Sequence, residues 1–528
     1  MKQQNIFDPV PSDRFQILSK EELIELAKQH QNIIGKFQKH IEKLEALNQE
    51  LSQRSFLIEG QYITIKNKLF GQSSEKSANR STSNKVNSQD KKKKVQLTSQ
   101  RYPNLSLIER DVVLDNLPDC ACCGAKMSDS GMTEDSEYLT VIPAQYYVVR
   151  QKRHKYRCGT CHGDIKTAPG MPRIKEGSSY SDEMMIDVSL AKYCDLIPME
   201  RYTAIAERLG VKDLPPQSLI ESSHYLSSFV CGAYDKLKEE ILKSSVLHAD
   251  ETPHRMLEGS EKKNWYLWGF STPWTSYLEY HDTRSGDVAS GLLSTASCRF
   301  LVSDVFSGYN KSVNDTNKIR AEKMQELVYH AYCNAHARRK FKEAADVFEV
   351  LADEAETPES KVNFLLEYKN AMYFVNQYRK IYRLEGLAKK FPDKQQAIRL
   401  RLRKYFEKIR DKSMLDVKGY SSKHKSGLAM RYFLKSYDGF TRFIDHPDVP
   451  IDNNPAERAL RSPVIGRKTW YGTHSERGAK TAAILFSLVE SCKLNKVNPR
   501  EYFKNLVQDL HHGKPTYTPK EFADLAKN

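Results

Sequence analysis

The sequence predicts an α/β core of three consecutive strands, a helix and a fourth strand, and three stretches carry that prediction. The first, Ser245-Val-Leu-His-Ala-Asp-Glu-Thr252, is a short apolar run ending in carboxylates. The second is the pair of aromatic-rich segments at 265–270 and 276–280, whose composition favours strands. The third is a helix-like segment at 287–293 leading into Arg299-Phe-Leu-Val-Ser-Asp304. This order opens a ribonuclease-H-like fold, in which the first and fourth strands lie side by side. Asp250 and Asp304, each ending an apolar run, then become neighbours. Strand alternation sends Asp250 and Glu251 to opposite faces, so only one of them can face Asp304.

At 528 residues the chain exceeds what one hydrophobic core serves, and several domains are expected. No run approaches the roughly 18 uninterrupted apolar residues of a membrane span, and the start, MKQQNIFDPVPSDRF, lacks the apolar stretch of a signal peptide. A cytoplasmic, nucleoid-associated protein with no membrane partner is the expectation. The formal net charge of +15 favours a polyanionic partner. Ten cysteines in such a chain point to metal ligands or buried thiols over disulfides.

Residues 1–70 predict an N-terminal helix with a leucine-zipper-like coiled coil. Ile34, Phe37, Ile41, Leu44, Leu51, Ile58, Tyr62, Ile65 and Leu69 alternate steps of three and four, with polar Asn48 in the seam. The stripe before it, Leu23, Leu26 and Ile33, is out of phase by one, so a break is expected near Gly35. A homo-oligomer follows from such a seam. Residues 71–105, with Lys91 to Lys94 and almost nothing apolar, read as a basic disordered linker.

Residues 106–178 predict a zinc-ribbon DNA-binding domain. Cys120 and Cys123 form one CxxC knuckle, Cys158 and Cys161 another, and a hairpin at 138–150 is expected between them. Cys122, His154 and His162 are alternative ligands. Arg150, Arg153, Lys155 and Arg157 make the adjoining strand basic, as a grip on a DNA backbone requires. Residues 179–243 form a helical domain, in which 202–210 and 218–229 read either as a helix-turn-helix or as a helical spacer.

The core's first part is assigned to 244–345. It closes with Cys333-Asn-Ala-His336-Ala-Arg338-Arg339-Lys340-Phe341, where His336 with Arg338 and Arg339 can face phosphate or serve structure. Residues 346–445 read as an inserted helical subdomain. The core's last part, 446–528, carries Asp452-Asn-Asn-Pro-Ala-Glu457-Arg-Ala-Leu-Arg461, in which Asx capping and Pro455 favour a helix from Ala456 to Leu460. Glu457 and Arg461 then share a face. Arg467 and Lys468 fall in a basic, glycine-bearing loop, followed by an apolar helix at 480–492 and a polar tail.

Asp250, Asp304 and Glu457 together make a carboxylate cluster. Three like charges at close range stay ionised only around a cation, and hard oxygen ligands select Mg²⁺ or Mn²⁺. Paired ions of this kind activate a nucleophile and stabilise the leaving oxygen in displacement at phosphorus.

Leu247-His-Ala-Asp250-Glu-Thr-Pro253, Asp304 with Gly308-Tyr309, CNAHARRKF from Cys333, DNNPAERALR from Asp452 and the later Gly466-Arg467-Lys468 resemble, in order, the transposase of the insertion sequence 66 family (TnpC type). The resemblance extends to Leu69-Phe70-Gly71 and the CxxC pair. It implies a DDE transposase that binds transposon ends, with Asp250, Asp304 and Glu457 as catalytic and metal-binding triad, Mg²⁺ or Mn²⁺ as cofactor, and a structural Zn²⁺. Double-stranded DNA, both terminal inverted repeats and target, is the implied partner, with accessory proteins of the same element. Arg461, Arg467 and Lys468 join the implied DNA contacts. Val305-Phe306 depart from the family's pattern, in which Gly-Tyr often follows the second aspartate directly. A catalytically inactive DNA-binding regulator or relic is the competing reading, and a plain nuclease a third.

Overall fold

The computed structural model describes most of residues 97–525, save short stretches of which 128–135, 159–164 and 259–263 are the longest, together with scattered residues between 19 and 43. The coiled-coil positions from Leu44 to Leu69, and the linker to Gln96, lie outside the described residues. Ile34, Gly35 and Lys36 are helical, so the helix runs through the break expected at Gly35.

Two compact units emerge. One comprises Met171–Tyr202 and Pro215–Asn528 with the N-terminal residues to Ser73; the other comprises Ser74–Gly170 with Thr203–Leu214.

In the second unit the hairpin lies later than the sequence suggested. Strands β1 (Lys155–Arg157) and β2 (Ile165–Thr167) pair antiparallel around the second CxxC, while the described residues of 138–150 form no strand. The first knuckle is a tight turn at 121–123, closed by an Asp119–Lys126 bridge and by Met127 N–H donating to the Pro118 carbonyl at 2.9 Å. Gly124 leaves that turn at φ +72°, a left-handed conformation that glycine adopts without strain.

In the first unit a five-stranded sheet has the order β5-β4-β3-β6-β7: β3 is Val246–Arg255, β4 Asn264–Ser271, β5 Ser276–His281, β6 Phe300–Ser303 and β7 Tyr329–Tyr332. The first three strands form an antiparallel meander, and β6 and β7 then add parallel beyond β3. Parallel neighbours need crossovers. Helices Asp287–Leu293 and Ser307–Glu322 supply them. The expected adjacency of first and fourth strands is present, with His248 opposite Val302.

Strand alternation divides the packing. Leu247 and Leu301 enter a large core with Leu226, Leu237, Leu485 and Leu488 from the flanking helices. Phe300 and Val302 point the other way, into a second core with Phe341, Phe374, Phe406 and Phe433. That second core is the helical insertion. Helix Pro358–Lys390 packs along Asn334–Asp353, and Arg403–Asp416 and Lys425–Lys435 complete it. Within it the Arg399 guanidinium grips both oxygens of Glu385, at 2.7 and 3.1 Å, each side chain only 2% exposed. Arg399 also donates to the carbonyls of Phe443, His446, Pro447 and Val449, fixing the bend that returns the chain towards Ile451.

Two C-terminal expectations are corrected. Residues Arg461–Trp470 form a helix instead of a basic loop, because Val464 and the buried Pro463 and Gly466 give it an inward face. After helix Glu476–Leu494 comes no polar tail but helices Pro499–His511 and Pro519–Leu525, the first burying Tyr502, Phe503, Leu506 and Val507 in the large core. Among the described residues no helix is long and apolar enough to cross a membrane.

Candidate active site

Asp250 lies on β3 two residues beyond His248, and Asp304 follows β6 two residues beyond Val302, so the register puts both on the same face. Glu457 comes from the short helix Asn454–Ala459, which packs on β3 and β4. The Asp250 carboxyl is held well above the usual range, first by burial and then by the negative charges of Glu251, Glu457 and Asp304. Two carboxylates from other elements therefore act on Asp250, which lies in the middle of β3 and not at its end. A hard divalent cation fits this donor set and relieves the repulsion.

Glu251 takes the opposite face. Its carboxylate accepts Arg284 Nη2 and Nε at 2.6 and 2.9 Å and the Tyr309 hydroxyl at 2.6 Å. Burial still pushes it upward, with those two donors pulling it back. The Val305-Phe306 departure acquires a structural account here. Phe306 N–H donates to Asp304 Oδ1 at 2.9 Å, and the Phe306 ring lies 4.1 Å beneath the Arg284 guanidinium.

Glu457 has its own surround. Cys333 Sγ–H donates to Oε1 at 3.9 Å, His336 Nδ1 is 3.6 Å from the same oxygen, and Arg339 Nη2 is 3.9 Å from Oε2. Burial pushes the Cys333 thiol up to about 12, so it stays protonated at neutral pH. Burial lowers His336, against the pull of Glu457. Cys333, His336 and Glu457 keep donor atoms within 4.8 Å of one another, a softer set that transition metals accept.

The DNN segment does a different job from the expected cap. Asn453 Nδ2 donates to the Ala249 carbonyl at 2.8 Å, and His248 Nδ1–H donates to Asn453 Oδ1 at 2.9 Å. Asn453 N–H donates to Cys333 Sγ at 3.2 Å. Asp452 is the local cap, its Oδ1 accepting Asn454 N–H at 3.3 Å, and burial raises its carboxyl. Sequence reading missed Asn453 as a bridge, Cys333 as a neighbour of Glu457, and Arg284 altogether. The C-x-x-H spacing was a signal for Cys333; Arg284 left none.

The predicted DNA contacts divide. His336 and Arg339 sit against Glu457, whereas Arg461 and Lys468 are exposed. Leu460 separates helix Asn454–Ala459 from Arg461, which opens the next helix, so the pair Glu457 and Arg461 does not share one continuous helix. Arg467 turns inward and donates to Thr252 Oγ1 at 3.1 Å. In the other unit Arg150, Lys155 and Arg157 are exposed, and Arg153 Nε donates to the Ala168 carbonyl at 2.7 Å. Cys123 and Cys158 are exposed; Cys120, Cys161 and His162 lie outside the described residues.

Comparison with known proteins bears on this site. Residues 177–481 match the family model described as Transposase IS66 family, a span that holds Asp250, Asp304 and Glu457. Residues 118–162 match the zinc-finger binding domain of transposase IS66, a span that holds all four knuckle cysteines. Uncharacterized protein y4hP of Sinorhizobium fredii (strain NBRC 101917 / NGR234) is 24% identical over 416 residues, covering 76% of this chain and 72% of its own. Uncharacterized protein y4qI of the same strain is 27% identical over 397 residues, covering 72% and 68%. With more than half of its length under one family model and a zinc-finger domain of the same transposases ahead of it, the chain belongs to the transposase IS66 family.

Proposed function

We propose that the chain cuts DNA at transposon ends and transfers the strand to target DNA, with Asp250, Asp304 and Glu457 as a DDE triad on a ribonuclease-H-like core. One observation carries this reading: Asp250 is buried on β3, and Glu457 and Asp304, from separate elements, add to burial and Glu251 in pushing its carboxyl upward. A merely structural cluster has no reason to bury a carboxyl among other carboxylates.

Asp250, Asp304 and Glu457 are the residues that would hold Mg²⁺ or Mn²⁺, which when bound supplies Lewis-acid stabilisation of charge at phosphorus. The protein's own contribution is placement. β3 and β6 fix two carboxylates on one face, and Asn453 fixes the helix carrying the third. Arg339 offsets the Glu457 charge, and His336 lies against the same carboxylate. Zinc on Cys120, Cys123, Cys158 and Cys161 would order the N-terminal finger, where exposed Arg150, Lys155 and Arg157 offer charge to DNA phosphates. The zipper-like seam would pair two copies so that both element ends are held together.

The test is a cleavage assay on the element's own ends with Mg²⁺ or Mn²⁺. Wild-type protein nicks the end and joins it to target, while Asp250→Asn and Glu457→Gln bind the same DNA without cutting it. An active Glu457→Gln protein refutes the triad.

A further inference from the structure

The β3 face that carries Asp250 continues through Thr252 to His254, and there it borders a cavity of about 180 Å³. By strand rise His254 is roughly 13 Å from Asp250, within reach of the DNA strand that the triad would cut. Helix Arg461–Trp470 covers this face, with Arg467 bonded to Thr252 and Trp470 on the cavity wall. The segment after it is pinned to the end of β3: Thr473 N–H donates to the Arg255 carbonyl at 3.1 Å, and Leu257 N–H to the Thr473 carbonyl at 2.8 Å. That pinning holds Tyr471 at φ +64° and Gly472 at φ +138°, where any Cβ on Gly472 would fall 2.1 Å from the Arg255 carbonyl oxygen. Strained backbone persists where surrounding structure enforces it. The cavity wall is therefore a built feature.

Its chemistry is aromatic and cationic. Trp470, Tyr280 and Phe486 line it, and the Tyr280 ring packs edge-on against His254 at 4.5 Å. Lys192 Nζ lies 5.4 Å over the Trp470 ring. Arg477, also on the wall, is answered by Glu221 at 3.0 Å. Among the described residues Lys192 and Arg467 have no carboxylate within ion-pair distance, although burial lowers both. Two desolvated cations beside planar rings, with the Glu200 carboxylate acting on Lys192, suit a ligand that is both flat and anionic. A cavity of about 150 Å³ holds a benzene ring, so this one has room for a planar base.

We propose that this cavity receives one unstacked nucleotide of the end DNA beside the cut, its base against Trp470 and its phosphate towards Lys192 and Arg467. The inference rests on the transposase reading above. Taking one base out of the stack fixes the strand's position relative to Asp250, and stacking on an aromatic side chain repays part of the unstacking cost.

A thermodynamic cycle tests it. Fluorescein-labelled end duplexes, each with one abasic nucleotide near the cut, are titrated by anisotropy in Ca²⁺ with wild-type, Trp470→Phe and Trp470→Ala full-length chains. At one position the abasic nucleotide lowers wild-type affinity about tenfold, Trp470→Ala lowers affinity for intact ends about as much, and the two losses do not multiply. Trp470→Phe, which keeps an aromatic face and serves as the folding control, behaves like wild type. Losses that multiply at every position, or wild-type affinity in Trp470→Ala, overturn the proposal. Adding Mg²⁺ to the wild-type complex reads the other claim separately: absence of cutting there defeats the transposase reading and leaves the affinity cycle standing.

Discussion

Asn453 is bonded at both ends of its amide to β3, accepting from His248 at 2.9 Å and donating to the Ala249 carbonyl at 2.8 Å. It thereby sets the register between the helix of Glu457 and the strand of Asp250. Asn453 and His248 are buried, at 1% and 3% exposure. Asn453→Ala leaves a donor and an acceptor unpaired, at about 1–3 kcal/mol each. The expected outcome is a lower urea midpoint and at least tenfold slower end cleavage with Glu457 intact. Wild-type cleavage in that variant would mean that the amide sets nothing.

Asp250 ties metal to stability. Its folded carboxyl titrates above the unfolded one, so the folded state holds the proton more tightly and metal-free stability falls as pH rises above the ordinary aspartate range. At pH 7 without metal, Asp250→Asn should therefore melt higher than wild type, and the gap should close as pH is lowered towards 4. Saturating Mn²⁺ reverses the order, because a ligand at 100 times its Kd adds about 2.7 kcal/mol to the form that binds it. Scanning calorimetry with and without Mn²⁺ reads both effects.

The Glu385–Arg399 pair is a second point of leverage. Removing one member of a buried pair costs about 3–5 kcal/mol, because the other charge is left uncompensated. Glu385→Ala should lower stability by that amount in urea. It should also slow cleavage, since Arg399 shapes the bend leading to Ile451 and Asp452. Unchanged stability would show that the guanidinium finds water instead.

Buried histidines give the acid limb. Burial lowers His330 to about 3 and His248 to about 4. A folded value below the unfolded one, about 6.5, means that the unfolded chain binds protons first as pH falls. Stability from His330 is present above pH 6.5 and is lost progressively down to about 3. The stability gap between wild type and His330→Gln, followed by circular dichroism in urea, should narrow across that window.

The finger should carry one zinc per chain, read by atomic emission on fresh protein. Cys158→Ser should release it and weaken end binding. The melting of the unit holding Asp250 should not change, since the knuckles lie in the other compact unit. Full zinc retention in Cys158→Ser would point to Cys122, His154 or His162 as a replacement ligand.

Much of the sheet-bearing unit was legible because its signals are local. Strands β3 to β6 and the helix at 287–293 appear within a few residues of their expected places, since apolar runs and aromatic clusters report directly on strands. Asp250 and Asp304 were readable as neighbours once strand order was known. The hairpin near the knuckles was misplaced because the residues at 138–150 have strand-like composition, yet the described ones form no strand. The helix at Arg461–Trp470 was hidden by Gly466, whose missing side chain makes room for the Trp470 ring. Asn453's bridge could not be read at all, because its partners lie some two hundred residues earlier in the chain.

Asn334 donates twice to the Ile451 carbonyl, from its backbone N–H and from Nδ2, both at 3.1 Å. Those two residues bracket the entire helical insertion, so its entrance and exit are clasped together at one carbonyl. Lengthening a loop whose ends already meet costs only about 0.6 kcal/mol per doubling. The insertion is thus a module that evolution or an engineer can enlarge, trim or exchange while the sheet and the Asp452–Glu457 segment keep their places.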